Sequence, residues 1–313
     1  MTQPVHLSIV VPCFNEEQVL PETARRLDIL LRELAARGDI AEGRVLFVDD
    51  GSTDNTWPLI AQFAAADARF HGIKLSRNCG HQRALLAGLL SAPGDAVVSV
   101  DADLQDDLEA IKDMLAAHAK GAEIVYGVRR ARKADTWFKR VTAEAYYSML
   151  QAVGVQLIFN HADYRLLGRN ALEALKSYKE TNLFLRGVIP QLGFTSARVY
   201  YDRSERFAGE SKYPFSKMVA LAIEGITSFS EVPLKLITIV GLLISLASFA
   251  LAVWALWVRI TNPAAVPGWA SIVIPLYMLG GVQLLCMGVI GQYVVKIYSE
   301  TKSRPRFVIE KEL

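Results

Sequence analysis

The 313-residue chain is long enough for one large domain, or a domain with an appendage. Its formal net charge of +2, with Lys and Arg interspersed among Asp and Glu, speaks against the one-sided basic surface of a nucleic-acid binder. Cys13, Cys79 and Cys286 lie far apart, without C-x-x-C spacing or a nearby His pair. That speaks against a disulfide framework or a zinc site and for reduced thiols in a cytosolic redox poise.

The N-terminal MTQPVHLSIVVPCFNEE runs straight into an apolar strand, with no basic n-region, long apolar h-region or small-residue cleavage site. The part that follows is therefore expected to stay in the cytoplasm. Short β-branched runs come next in order: LSIVV (7–11), RVLFVDD (44–50), HGIKLS (71–76), AVVSVDAD (96–103) and EIVYG (123–127). They are apolar on both faces and alternate with amphipathic segments such as residues 16–38, the pattern of parallel strands covered by helices. An open α/β sheet of this kind binds ligands beyond the carboxyl ends of its strands. Here those ends read PCFNEE, DDGSTD, SRNCGH and DADLQDD.

The hydrophobic share of 52% is concentrated in the last third. Residues 234–258 hold one charge, at their second position, and are long enough to cross a bilayer as a helix. A connector (259–269) leads to a second apolar run (270–295) and a tail (296–313). Lys212, Lys217 and Lys235 precede the pair, and Lys296, Lys302, Arg304, Arg306 and Lys311 follow it, whereas the connector carries only Arg259. This charge bias predicts a two-span hairpin in the plasma membrane with both termini cytoplasmic. Residues 133–159 and 213–230 mix apolar, aromatic and basic residues at helical spacing, so each fits either an interface helix or packing on the sheet.

Asp101 and Asp103 leave the fourth run where it bends, so both can reach one hard cation that also takes phosphate oxygens. The pair Asp49 and Asp50 ends the second run, where a carboxylate can accept from a base N–H or ribose hydroxyls. Asp106 and Asp107 read as the acidic start of the helix LEAIKDMLAAHAK. Neither G-x-G-x-x-G nor G-x-x-x-x-G-K-[ST] occurs at a strand exit, which removes the main support for dinucleotide and P-loop readings.

PCFNEE, VDDGSTDNT, SRNCGHQRALLAGL, DADLQDD, YGVRR, ADYRLL and FAGESKY, in this order and followed by two spans, resemble the family 2 glycosyltransferases that load a sugar onto a polyprenyl phosphate. Bactoprenol glucosyltransferases are the nearest type, with aminoarabinose transferases and dolichol-phosphate mannose synthases as relatives. The resemblance implies a GT-A fold, a Rossmann-like and mostly parallel sheet over residues 1–205. A juxtamembrane segment (206–233) would link it to the hairpin. Pro12, Phe14 and Glu16 would line the nucleotide pocket, and Asp50, ahead of Asp49, would read the base. Asp101, Ala102 and Asp103 would meet the donor diphosphate, with Asp101, Asp103 and Gln105 holding Mg²⁺ or Mn²⁺. Arg129, Arg206 and Lys212 would bind phosphate, and Asp163 matches the catalytic carboxylate.

The implied partners are a UDP-sugar, glucose first, a polyprenyl phosphate and membrane lipid. A homo-oligomer and a flippase are compatible with the same resemblance. Cys79, His81 and Gln82 stand where bactoprenol glucosyltransferases more often have F, K and E, and Ala162 replaces a usual glycine. These departures leave room for another donor, of the aminoarabinose, GlcNAc or GDP-mannose type. A processive synthase would need Q-x-x-R-W and more spans, and a non-enzymatic scaffold or flippase partner would not need intact Asp101, Asp103 and Asp163.

Overall fold

Strand β1 (Val5–Cys13) buries every residue from Leu7 onward, so both of its faces need cover and its edges need partners. In the computed structural model, which describes residues 4–130, 161–180, 185–202, 232–261 and 269–313, it receives both. It pairs in parallel with β2 (Ile40–Asp49) on one side and β4 (Ala96–Ser99) on the other. Strand β3 (Phe70–Leu75) continues the parallel set beyond β2. Helices α1 (Leu20–Arg37), α2 (Thr56–Ala66), α3 (His81–Ser91) and α4 (Ala110–Ala119) connect these strands and cover the sheet. The apolar face of α1, Leu20, Leu27, Leu31 and Leu34, is buried in the same core as Ile9, Val11 and Phe47.

The sheet continues with β5 (Ile124–Arg129), β6 (His161–Gly168), helices α5 (Arg169–Lys176) and α6 (Leu185–Gln191), and β7 (Ser196–Tyr201). Its eight strands run in the order β7-β5-β6-β4-β1-β2-β3-β8. Strand β6 is antiparallel to both neighbours. The last strand, β8 (Ile309–Glu312), pairs antiparallel with β3 at the far edge. Within the segment expected to be only a tail (296–313), Ile309–Glu312 is therefore an edge strand of the sheet. Its charged residues, Glu310, Lys311 and Glu312, are exposed, as suits an edge strand.

Helix α3 lies close to β1 and β2 because position 88 lacks a side chain. A Cβ there would sit 2.3 Å from a Val10 methyl carbon and 2.9 Å from one of Val48. Gly88→Ala is therefore expected to destabilise the protein by about 1–3 kcal/mol through overpacking, despite alanine's better helix propensity. An unchanged melting midpoint would contradict that close approach.

The chain divides into two compact units, the sheet with its helices and residues 303–313 forming one. The other contains α7 (Val232–Thr261, 30 residues) and α8 (Trp269–Thr301, 33 residues). These helices contain the two apolar runs and extend beyond both. By length and composition, Leu279–Thr301 is the segment among the described residues that could cross a membrane. The segments 133–159 and 213–230 lie outside the described residues, as do Arg206, Lys212 and most of the connector.

Candidate active site

The exits of β1 and β2 are joined by hydrogen bonds between their loops. Asn15, in a left-handed conformation, donates its backbone N–H to Ser52 Oγ (3.0 Å) and accepts from the Thr53 N–H (2.9 Å). The Glu16 N–H donates to Thr56 Oγ1 (2.9 Å), and the Glu17 carboxylate accepts from the Asn55 N–H (3.0 Å). Pro12 is buried within β1, while Phe14 stands 45% exposed beside this double loop.

Asp49 and Asp50 are both buried, with different tasks. Asp49 closes the turn by accepting the Ser52 N–H (3.0 Å), and its Oδ2 is buried with no hydrogen-bond partner. Asp50 accepts the backbone N–H groups of Cys79 (2.7 Å) and Gly80 (2.9 Å), one on each oxygen. Gly51, at φ 70°, turns so tightly that a Cβ there would lie 2.6 Å from the Asn78 nitrogen. Burial raises the Asp50 pKa even though the two amides pull it down. Asp50 thus ties the SRNCG loop to the exit of β2, and each of its oxygens retains a second lone pair.

Asp101 and Asp103 follow β4 directly. The Ala102 carbonyl between them is fixed by the buried Thr23 hydroxyl (2.9 Å), and Leu104, at φ 56°, bends the chain so that Gln105 N–H reaches Asp103 Oδ1 (3.2 Å). The Asp101 side chain is about one-third exposed. Burial raises its pKa to about 6, with the neighbouring carboxylates of Asp106, Asp163 and Asp103 adding to the shift and His81 opposing it. Like charges gathered this closely suit a divalent cation. Among the described residues no group of three or more His, Cys, Asp and Glu side chains forms a metal cage. Two carboxylates fit Mg²⁺ or Mn²⁺, which keep water and take phosphate oxygens, better than they fit an all-protein site.

The antiparallel course of β6 brings Asp163 to this end of the sheet. Register pairs Ser99 with Arg165, so the residue two before Arg165 lies alongside the residue two after Ser99. The Ser99 hydroxyl donates to the Asp163 carbonyl and holds that register. The Asp163 carboxylate is ringed by donors: Arg165 Nη2 and Arg186 Nε (3.2 Å) on Oδ1, Arg186 Nη2 (2.9 Å) and Gln82 Nε2 (3.0 Å) on Oδ2. His81 Nε2 lies 3.4 Å from Asp163 Oδ2 and 3.7 Å from Asp101 Oδ1, bridging the two acids. Burial pushes the Asp163 pKa up, but His81 and the two guanidinium charges outweigh it and hold the carboxyl well below its usual range.

Asp106 does not start the helix as its sequence position suggested. α4 begins at Ala110, and the Asp106 side chain is 1% exposed, accepting from Tyr201 Oη and from Arg129 Nη2 (3.2 Å). Arg129 Nε also donates to Tyr201 Oη (3.1 Å). The partners come from β5 and β7, which pull the residue inward. Asp107 stays outside and accepts the Glu109 N–H (3.0 Å) in the turn before α4.

The sequence reading left out Arg165, Arg186 and Tyr201 and gave no role to Gln82. Arg186 stands in an apolar run, LFLRGVIP, and a lone guanidinium there is the signal that could have singled it out. A second charged cleft, lined by His6, Glu42, Arg44, Asp95 and Arg169, lies at the amino ends of β1 and β2. Arg44 there is paired with Glu42 (2.8 Å), and Asp95 accepts the backbone N–H of His6 (3.0 Å).

The α/β sheet is mostly parallel, and its strand exits gather Asp49, Asp50, Asp101, Asp103 and Asp163, an arrangement suited to a polar ligand with a divalent cation. Residues 8–176 match the model of glycosyl transferase family 2, and the chain belongs to that family. It is 48% identical over 315 residues to the uncharacterized glycosyltransferase YkoT of Bacillus subtilis (strain 168), covering 100% of this chain and 93% of the relative. It is 38% identical over 308 residues to the bactoprenol glucosyl transferase of Shigella phage SfX, covering 97% and 98%. Among solved structures it is similar to glucosyl-3-phosphoglycerate synthase from Mycobacterium tuberculosis (TM-score 0.45, 18% identity, 71% of this chain and 78% of that one). The protein is a glycosyltransferase.

Proposed function

We propose that the enzyme moves a hexose, glucose first, from a UDP-sugar to a polyprenyl phosphate at the cytoplasmic face of the plasma membrane, with inversion at the anomeric carbon. The observation that carries this reading is the near full-length match to the SfX bactoprenol glucosyl transferase. It extends through the apolar C-terminal helices as well as the sheet, so it includes the part that would meet lipid.

The site chemistry supports the same reading. A lipid phosphate is already ionised near neutral pH, its second pKa being about 6, so it needs positioning more than deprotonation. Asp50, ahead of Asp49, would accept from the base, beside Pro12, Phe14 and Glu16. Asp101, Ala102 and Asp103, with Gln105, would hold the donor diphosphate and a Mg²⁺ or Mn²⁺ ion. When bound, such an ion neutralises charge on the departing nucleotide. Attack from the opposite face converts an α-linked donor into a β-linked lipid phosphate.

The position of strand β8 fits an even number of membrane crossings, two in the proposed hairpin. The strand pairs with β3, and Leu313 just after it donates its N–H to the Gly72 carbonyl (2.8 Å), so the tail and the sheet would share one side of the membrane. Any crossings between residues 202 and 303 are then even in number, which a hairpin of α7 and α8 satisfies. The basic residues after α8 favour the cytoplasm for that side.

The test is UDP release by the full-length protein in detergent, given polyprenyl phosphate and a panel of UDP-sugars with Mg²⁺ or Mn²⁺. UDP-glucose is expected to give the highest turnover, dependent on the lipid. Absence of turnover with every donor would overturn the proposal.

A further inference from the structure

Asp163 already has as many donors as it has acceptor sites. A carboxylate offers about four lone-pair sites, and Arg165, Arg186 through two nitrogens, and Gln82 fill them, with His81 close by. A group so surrounded is poorly disposed to take a proton. The transfer also asks for none: an ionised phosphate oxygen forms the new bond to the anomeric carbon, and the carbon–oxygen bond to the diphosphate breaks with its electron pair leaving on UDP.

The two arginines are not equivalent. Arg165 is 0% exposed and by itself balances the charge of Asp163, which is 4% exposed. Arg186 is 39% exposed and lies on the same carboxylate with its Nε and Nη2 edge. A guanidinium has five N–H groups in a planar fork, so locking one edge fixes the direction of the others. Gln82 braces the arrangement, donating to Asp163 and accepting the Leu185 N–H (3.3 Å), the residue before Arg186.

Order along the sheet indicates what this guanidinium meets. β2 and β1 carry the proposed base pocket and β4 the acidic pair for the diphosphate, while Asp163 enters from β6 on the far side. Arg129, on β5, is engaged by Asp106 and Tyr201. We propose that Arg186 binds the phosphate of the acceptor, and that Asp163 is a positioning residue that acts through Arg186 rather than as a proton acceptor. This rests on the lipid-phosphate reading above.

The test is calorimetric titration of the full-length protein in detergent with farnesyl phosphate, and separately with UDP and Mg²⁺. Arg186→Gln is expected to weaken farnesyl phosphate binding on the order of tenfold or more, the loss of a charge-assisted contact, and to leave UDP binding within about twofold. Arg186→Lys, which keeps the charge and loses the fork, should fall between. Asp163→Asn should show the same acceptor-selective loss with the arginine still present, and the double variant should be little worse than either single one. Inorganic phosphate should compete with farnesyl phosphate only weakly; equal affinity would mean that the site takes free phosphate and would overturn the acceptor assignment. Native farnesyl phosphate affinity in both Arg186 variants, equal loss of UDP binding, or no saturable farnesyl phosphate binding by the unaltered chain would also overturn it. Absence of sugar transfer with Arg186-dependent binding intact would instead overturn the proposed reaction and leave this inference standing.

Discussion

Asp163→Ala is expected to lower stability by roughly 3–5 kcal/mol, the usual consequence of stranding a buried charge. The reason is the neighbour: Arg165 is fully buried, and without the carboxylate its guanidinium has no counter-charge on Asp163. The sign of the pH dependence follows from the direction of the shift. The folded pKa of Asp163 lies below the usual value, so its contribution is complete above the ordinary Asp pKa of about 3.9. It fades as pH falls through the lower folded value. Melting midpoints of the two proteins should therefore differ most at pH 7 and converge in strong acid. A gap that persists or widens as the pH falls would contradict the ion-pair account.

Asp103→Ala, and independently chelation of divalent cations, should each reduce sugar transfer on the order of 10²–10³-fold or more, the scale of one lost electrostatic contact in a transition state. Asp101→Asn should act similarly, because Asp101 and Asp103 flank one carbonyl fixed by Thr23. Asp107→Asn is the control. Its carboxylate caps the turn before α4 through the Glu109 N–H, and its activity should remain within about twofold, as is usual for a surface change away from the site. The measurement is UDP release at saturating donor with added Mg²⁺ or Mn²⁺. Full activity of Asp103→Ala in the presence of chelator would refute a cation at this strand exit.

Much of this site could be read directly along the chain. Apolar runs ending in PCFNEE, DDGSTD and DADLQDD mark strands with polar exits, and the structure finds β1, β2 and β4 there. The runs from residues 234 and 270 lie within α7 and α8. β8 lies in FVIEKEL, an apolar triplet followed by a charged one, and nothing local marks it as a strand or names β3 as its partner. Asp106 was misread for a related reason. A carboxylate just before a helix fits the dipole, and only the arrival of Arg129 and Tyr201 from distant strands makes it a buried hydrogen-bond acceptor.

The sequence by itself determined the family, the parallel half of the sheet, the acidic exits and the apolar helices, because periodicity, turn chemistry and apolar length are written in consecutive residues. Only the tertiary structure decided that β6 runs antiparallel beside β4, which brings Asp163 next to Asp101, and that Arg165, Arg186, Gln82 and His81 converge on it. Those residues lie on β6, α6 and α3. Their meeting depends on strand register and on the burial of one carboxylate, which demands compensating donors from wherever the fold supplies them.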